Sequence, residues 1–161
     1  MPRMRPPLIW KNPWVADSNI LFESEPLKSM DQYRQDAKEK SEAGGILLGY
    51  RRNSHLHVTI ATLPQPSDQR QRYSFKRSPS HHQQVALRQW RASQMTMDYL
   101  GEWHTHPESN PSPSSLDISE WKKICKEQAR PMVFAILGWS GDIWLGLSSG
   151  EVVSQCVVAE C

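Results

Sequence analysis

The sequence predicts a mixed α/β (α+β) fold in which a β-sheet is packed against helices. Three observations predict this class. The chain has 161 residues, 38% hydrophobic and 22% charged, an ordinary balance for one globular domain with a buried core. Segments of alternating hydrophobicity, which are typical of strands, are interspersed with segments of helical spacing. Several strand-like segments are joined by short turns, which favours antiparallel pairing in a layered fold.

Net charge, cysteine content and apolar segments narrow the classes of function that this protein can have. The net charge of +2 is too small to indicate nucleic acid as the main partner. Cys125, Cys156 and Cys161 lack the spacing of a zinc finger or disulfide framework, and an odd number of cysteines fits a reducing cytosol. No segment approaches the roughly 18 apolar residues of a membrane-spanning helix, and the N-terminus lacks the apolar run of a signal peptide. We therefore expect a cytoplasmic protein in which Cys125 and Cys156 are buried.

The N-terminal part is expected to be irregular. Residues 1–18 form a proline-rich arm, which Trp10 and Trp14 hold against the body, and residues 19–161 form the domain. Ile20 to Phe22 has the composition of a short strand.

The first helix is expected to begin near Ser24, as N-cap, with Pro26 in its first turn. Apolar residues then recur at intervals of three and four, which is helical spacing: Leu27, Met30, Tyr33 and Ala37. Gly44 and Gly45 are expected to end this helix.

A hairpin follows, formed by Ile46 to Arg52 and His55 to Leu63 with Asn53-Ser54 as its turn. Its alternation places His55 and His57 on the polar side. No carboxylate follows this pair at a suitable distance, so we interpret both histidines as structural.

The middle of the chain is expected to form a polar loop from Pro64 to Arg72, a short strand from Tyr73 to Lys76 and a helix from Pro79 to about Ser93. The apolar positions of this helix are candidate core residues: Val85, Leu87 and Trp90.

The last third predicts a strand from Tyr99 to His106 and a third helix capped by Ser114 or Ser115. The inner side of that helix is expected to carry Ile118, Trp121, Cys125 and Ala129. Three closing strands follow, joined by turns at Ser140-Gly141 and Ser148-Gly150: Met132 to Trp139, Asp142 to Leu147 and Val152 to Val158.

The chemistry is concentrated in the strand that ends at His106. His104 and His106 are two residues apart, so in a strand they face the same side and can bind one ion together. Asp117 follows eleven residues after His106, beyond a loop of small and turn-forming residues. Two histidines and a carboxylate are ligands that a catalytic zinc accepts while keeping one position open. These three residues therefore predict a zinc site.

The pattern His-x-His-Pro-x6-Ser-x-x-Asp, complete here from His104 to Asp117, resembles the motif of the JAMM metalloproteases, also called JAB or MPN-plus. Members hydrolyse isopeptide and peptide bonds after ubiquitin-like proteins. The family also has a glutamate just before a glycine-rich strand, and Glu42 to Gly49 fits that context. The resemblance covers most of the chain, and implies a curved mixed sheet flanked by helices and one zinc ion per chain.

The segments Gly45 to Gly49 and Tyr99 to Glu108 are similar to the small bacterial JAB proteins of anti-phage (CBASS) operons. Those proteins accompany E1- and E2-like enzymes and a cGAS-like nucleotidyltransferase. The resemblance implies a metallopeptidase that reverses conjugation, with these enzymes in the same pathway and the nucleotidyltransferase as a candidate substrate.

Hydrolysis of an amide also requires a group that takes a proton from water and gives one to the leaving amine. The resemblance assigns this role to Glu42. Glu102 is a rival, because it precedes His104 by two residues and shares its face of the strand. Better-known family members usually carry an aromatic residue at this position, so Glu102 is a departure from the pattern, and its alternative roles are to orient a histidine or to contact substrate.

Ser114 has two interpretations. It can cap the third helix, or its hydroxyl can donate to the oxyanion that forms during hydrolysis, and the family pattern favours the second. Trp103 and Trp144 are interpreted as core residues, and Trp139 as a residue at the edge of the cleft.

Three functions remain open. The first is a zinc isopeptidase that cleaves after the C-terminus of a ubiquitin-like or ubiquitin-like-tailed protein. The second is a peptidase that trims a sulfur-carrier protein, and the third is a non-catalytic scaffold, against which the complete set of ligands and Glu42 argues. A DNA-repair role has little support from the net charge of +2.

Overall fold

The computed structural model describes residues 5–65, 68–77, 79–94 and 96–159, which contain ten strands and three helices. The strands are β1 (Leu8–Lys11), β2 (Asn19–Phe22), β3 (Gly44–Arg52), β4 (His55–Ala61), β5 (Gln69–Gln71), β6 (Ser74–Lys76), β7 (Asp98–Thr105), β8 (Val133–Leu137), β9 (Ile143–Ser149) and β10 (Val152–Gln155). The helices are α1 (Ser24–Asp31), α2 (Pro79–Ala92) and α3 (Ser115–Gln128).

Eight strands form one mixed sheet in the order β1-β2-β4-β3-β7-β8-β9-β10, in which β2–β4 and β7–β8 are parallel pairs. The chain after β10 returns to β1: the Lys11 N–H donates to the Val157 carbonyl at 2.8 Å, and the Ala159 N–H donates to the Ile9 carbonyl at 2.8 Å. These bonds bring the two edges of the curved sheet together. The predicted mixed α/β fold is confirmed.

The sheet is buried on both faces at β8. Its alternate residues Val133, Ala135 and Leu137 enter a large cluster that includes Trp103 and the apolar side of α1. The intervening residues Phe134 and Ile136 pack against α3. Trp103 is 1% exposed, and so is a core residue as predicted. Trp144 stacks on Trp121 with ring centroids 5.5 Å apart.

The arm that was expected to be irregular contains β1, a regular strand at the edge of the sheet. Trp10 on this strand is 2% exposed and packs edge-on against Phe22, so it holds the arm as predicted. Trp14 is 43% exposed, and its indole N–H donates to the Leu147 carbonyl at 2.8 Å.

The first helix is shorter than its apolar spacing predicts. It begins at Ser24 after Glu23 as N-cap, and it ends at Asp31, so Tyr33 and Ala37 lie in an irregular segment. Tertiary hydrogen bonds replace helical ones there, because the buried Gln35 amide donates to the carbonyls of Lys40 and Arg72.

Gly44 and Gly45 begin β3 rather than ending a helix. A Cβ atom on Gly44 would lie 2.6 Å from the Trp103 carbonyl oxygen, and one on Gly45 would lie 2.3 Å from that of Thr62. The glycines are therefore required by the close approach of neighbouring backbones.

The segment expected to be a polar loop contains β5, which pairs with β6 as a two-stranded hairpin, here called the small hairpin. On α2, Leu87 and Trp90 are exposed rather than in the core. Instead, the buried His82 contacts the Thr62 hydroxyl and the Asp68 carboxylate and thereby holds α2 to the sheet.

The remaining elements lie close to their predicted positions. On α3, Trp121 and Cys125 are buried, whereas Ile118 is exposed and Ala129 is the left-handed C-cap. Cys156 is buried as predicted, and Cys161 lies outside the described residues. None of the helices within the described ranges has the length and hydrophobicity to cross a membrane.

Candidate metal centre

The predicted site residues meet where β7 ends and where β3 and α3 begin. Gly44 pairs with His104 across β3 and β7, so continuing this antiparallel register by two residues sets Glu42 opposite His106. Asp117 lies in the first turn of α3, which the loop from Pro107 to Pro113 leads back to the sheet. Residues from three separate segments thus converge on one point.

The three predicted ligands form a close triangle. Nε2 of His104 lies 3.0 Å from Nε2 of His106. The Asp117 carboxylate spans the pair, with Oδ1 3.2 Å from His104 Nε2 and Oδ2 3.2 Å from His106 Nε2. Zinc bonds of about 2.0–2.2 Å in tetrahedral geometry separate neighbouring ligand atoms by about 3.3 Å. The donor set and its spacing therefore fit a zinc ion.

Glu42 stands beside this triangle. Its Oε1 atom lies 3.8 Å from His104 Nε2 and 4.0 Å from His106 Nε2, and Glu42 and the two histidines all offer ligand atoms within 4.8 Å of one another. The residue is 5% exposed. Its longer distances to the histidines suit a group that contacts a molecule bound at the centre rather than a fourth ligand.

Burial and charge shift the titration of this cluster. Burial raises the pKa of the Glu42 carboxyl to about 7, against smaller opposing effects of His104 and His106. Burial would also raise the pKa of Asp117, but hydrogen bonds with both histidines outweigh it and hold that pKa well below its usual range. A buried glutamate whose pKa is close to neutral pH thus lies beside an aspartate that stays ionised.

Sequence reasoning missed Glu108. Its Oε1 atom lies 2.8 Å from Nδ1 of His106, on the side of the ring opposite the triangle. Burial would lower the pKa of His106, but its contacts with Asp117 and Glu108 outweigh burial and raise that pKa. A carboxylate on Nδ1 fixes the tautomer that leaves Nε2 free for a metal. The feature of the sequence that could have indicated this role is the position of Glu108, two residues after the second histidine.

The rival base Glu102 is engaged elsewhere. Its carboxylate forms an ion pair with Arg77, which follows the small hairpin, and its Oε1 atom accepts a hydrogen bond from the Tyr99 hydroxyl at 3.4 Å. Glu102 contacts no predicted ligand among the described residues.

Ser114 is the N-cap of α3, one of the two predicted capping positions. Its hydroxyl oxygen accepts from the Asp117 N–H at 3.1 Å, and the Asp117 carboxylate accepts from the Ser114 N–H at 2.8 Å. This reciprocal pair fixes the backbone of Asp117. The Ser114 hydroxyl still has a proton to donate.

The second histidine pair is held by structural contacts. His57 Nε2 lies 2.7 Å from a Glu23 carboxylate oxygen, and His55 Nδ1 accepts from the Asn19 N–H at 3.0 Å. Trp139, which was expected at the edge of the cleft, is 45% exposed, and its backbone N–H donates to the Glu108 carbonyl at 2.9 Å. It therefore lies beside the loop that follows the two ligand histidines.

The chain is similar to known proteins over most of its length. A family model described as prokaryotic homologs of the JAB domain matches residues 27–148. A protein of Pseudomonas aeruginosa named CD-NTase/cGAS isopeptidase is 43% identical over 130 residues, covering 78% of this chain and 82% of that protein. A protein of Vibrio cholerae with the same name is 38% identical over 140 residues, covering 86% and 88%.

A solution structure of a protein from Desulfitobacterium hafniense superimposes with a TM-score of 0.56 and 21% identity, covering 80% of this chain and 81% of that one. At this identity the likeness concerns the fold alone.

Proposed function

This chain belongs to the family of prokaryotic homologs of the JAB domain, and on that premise we propose that it is a zinc-dependent isopeptidase of a CBASS pathway. It would cleave after the C-terminus of a ubiquitin-like or ubiquitin-like-tailed protein and so reverse conjugation. The observation that carries the proposal is the position of Glu42. It lies 3.8 and 4.0 Å from two histidine nitrogens that, with Asp117, have the spacing of zinc ligands.

His104, His106 and Asp117 would hold the zinc. When bound, zinc supplies Lewis acidity that polarises a carbonyl and makes water a stronger acid. Asp117 suits this role because its pKa is held well below the usual range, so it offers a carboxylate at any physiological pH. Glu108 would fix the orientation of His106 through Nδ1.

Glu42 would carry the proton. As a carboxylate it accepts a proton from the attacking water, and as a carboxylic acid it returns that proton to the leaving amine. Burial raises its pKa to about 7, which makes both forms accessible near neutrality. The charge of a bound cation acts in the opposite direction and favours the carboxylate, the form that begins the reaction.

Ser114 would stabilise the developing oxyanion. Its hydroxyl oxygen already accepts from the Asp117 N–H, so its proton is available to a substrate oxygen. Removal of one such donor typically costs about 2–4 kcal/mol of transition-state stabilisation.

The substrate would be a conjugate formed by an E1/E2-like enzyme. Relatives named CD-NTase/cGAS isopeptidase support the cGAS-like nucleotidyltransferase as the protein whose C-terminus is cut from its target. The same names favour deconjugation over trimming of a sulfur carrier. An extended tail could reach the centre by adding as a strand beside a sheet edge.

The test uses the cognate nucleotidyltransferase fused through its C-terminal tail to a short folded protein. The zinc-loaded enzyme should release the intact fused protein, with the cut after the last residue of the tail by intact mass. A chelator should abolish cleavage, and added zinc should restore it. Cleavage inside the fused protein, equal cutting of unrelated unfolded chains, or full activity in chelator would contradict the proposal.

A further inference from the structure

Thr105, the residue between the two ligand histidines, is completely buried. Because side chains alternate along a strand, it lies on the face of β7 opposite to His104 and His106. Across the sheet it faces Ala43, the residue next to Glu42, through the same register that pairs Gly44 with His104.

Thr105 binds both polar groups of Ala43. Its backbone N–H donates to the Ala43 carbonyl at 2.9 Å, as in a regular ladder. The Ala43 N–H, however, donates to the Thr105 hydroxyl oxygen at 2.9 Å. This side chain therefore holds the backbone just where Glu42 leaves the sheet.

Gln35 orients that hydroxyl. The Thr105 hydroxyl donates to Gln35 Oε1 at 2.8 Å, which leaves its oxygen facing Ala43. Gln35 is 2% exposed, and its amide donates to the Arg72 carbonyl at 2.7 Å and to the Lys40 carbonyl at 3.2 Å. The chain of bonds thus runs from the small hairpin region through Gln35 and Thr105 to the peptide beside Glu42.

Glu42 precedes β3, and both polar groups of its backbone are bound by residues of β5. The Glu42 N–H donates to the Gln71 carbonyl at 2.6 Å, and Arg70 Nε donates to the Glu42 carbonyl at 3.0 Å. These two bonds come from the small hairpin, whereas the bonds of Thr105 come from the strand that carries the ligands. Thr105 therefore links the peptide beside Glu42 directly to the strand that carries the histidines.

We propose that Thr105 and Gln35 are positioning residues that hold Glu42 in register with His104 and His106, an inference that rests on the proposed role of Glu42 as the proton carrier. Displacement of a catalytic group by about 1 Å can cost about 100-fold in rate. Among the described residues, the side chains of Thr105 and Gln35 form no hydrogen bond with a proposed metal ligand. Their loss should therefore affect the rate of the chemical step and leave zinc binding intact.

The experiment compares Thr105→Val with Thr105→Ser in the full-length zinc-loaded protein, using the tail-fusion substrate. The valine keeps the shape and loses the hydroxyl, whereas the serine keeps the hydroxyl. Thr105→Val should lower kcat by about 10- to 100-fold, with KM and zinc content unchanged, and Thr105→Ser should restore most of kcat. An equal loss in both variants, an unchanged kcat in Thr105→Val, or a loss of zinc would overturn the proposal.

Amide hydrogen exchange gives a readout that does not depend on activity. The Ala43 amide should exchange faster in Thr105→Val than in wild type, and Thr105→Ser should keep it protected. Gln35→Leu provides a second variant, in which the acceptor of the hydroxyl is lost and the same fall in kcat is expected. Unchanged protection of Ala43 in both Thr105→Val and Gln35→Leu overturns the proposal. If wild type fails to cleave the substrate, the proposed function fails, while exchange at Ala43 still decides the positioning role.

Discussion

Nδ1 of His106 lies 2.8 Å from Oε1 of Glu108, so the remaining ring nitrogen, Nε2, faces His104 and Asp117. This contact sets the orientation of a predicted ligand from outside the ligand triangle. Its effect can be separated from that of the ligands themselves.

Glu108→Ala is expected to weaken zinc binding by about 10- to 100-fold without abolishing it, because a carboxylate behind a ligand histidine fixes its tautomer and increases its basicity. Competition with a chromophoric chelator measures the affinity. Glu120→Ala is the matched control, since that exposed carboxylate contacts only Lys123 among the described ion pairs. Equal affinities for Glu108→Ala and Glu120→Ala would rule out the orienting role.

Loss of a ligand should have a larger effect. His104→Ala and Asp117→Asn are expected to purify with little zinc, whereas the wild type should hold about one ion per chain. His57→Ala is the control, because its ring contacts Glu23 away from the centre. Elemental analysis after metal-replete expression decides the matter, and equal zinc content in His104→Ala and wild type would refute the ligand assignment.

Ser114→Ala tests a cap and an oxyanion donor at once. Loss of the cap should lower the free energy of unfolding by about 1 kcal/mol, and loss of the donor should lower kcat by about 10²–10³-fold. Ser114→Thr retains both functions and should remain close to wild type. A stability loss in Ser114→Ala with an unchanged kcat would show that Ser114 serves α3 alone.

Stability of the metal-free protein should depend on Glu42 and pH. The folded pKa of Glu42 is about 7, above its ordinary value of 4.5, so the folded state binds the proton more tightly than the unfolded chain. The associated stability is fully present below pH 4.5 and is lost as the pH rises toward 7. As the pH rises from 4.5 to 7, the free energy of unfolding of wild type should therefore fall by on the order of 2–3 kcal/mol relative to that of Glu42→Gln.

Urea unfolding of chelator-treated wild type and Glu42→Gln at several pH values measures this difference. Asp117 does not interfere with this measurement. Because its pKa is lowered from the ordinary value of 3.8, the stability that it contributes is present above that pH and is lost only as the pH falls below it. A difference between the two proteins that stays constant from pH 4.5 to 7 would contradict the burial of an uncompensated Glu42 carboxylate.

Local patterns in the sequence were sufficient to predict the strand and the helix that carry the proposed metal ligands. The strand that ends near His106 and the capped helix that begins after Ser114 follow from alternation and capping residues, which act over a few positions. The family motif similarly predicted which side chains would converge. Glu42 was predicted from the family resemblance alone, and the antiparallel register of β3 and β7 explains why it lies beside the histidines.

Other features depend on contacts between distant segments. The spacing of Tyr33 and Ala37 is helical, yet Gln35 uses its side chain to bind Arg72 and Thr105, and the helix ends at Asp31. Apolar spacing also shows which face of α2 carries Leu87 and Trp90, but not whether another element covers that face. Local propensity cannot encode either outcome, since both are decided by tertiary packing.

The central claim is that Glu42 moves the proton beside a zinc held by His104, His106 and Asp117. The most direct test is the cleavage rate of Glu42→Gln on the tail-fusion substrate, at a zinc content shown to equal that of wild type, with Glu102→Gln as the matched control. Loss of a general base typically slows the reaction by about 10²–10⁴-fold, and a poor amine leaving group favours the upper part of that range. The account predicts this loss for Glu42→Gln and a rate near that of wild type for Glu102→Gln; an active Glu42→Gln together with an inactive Glu102→Gln would contradict it.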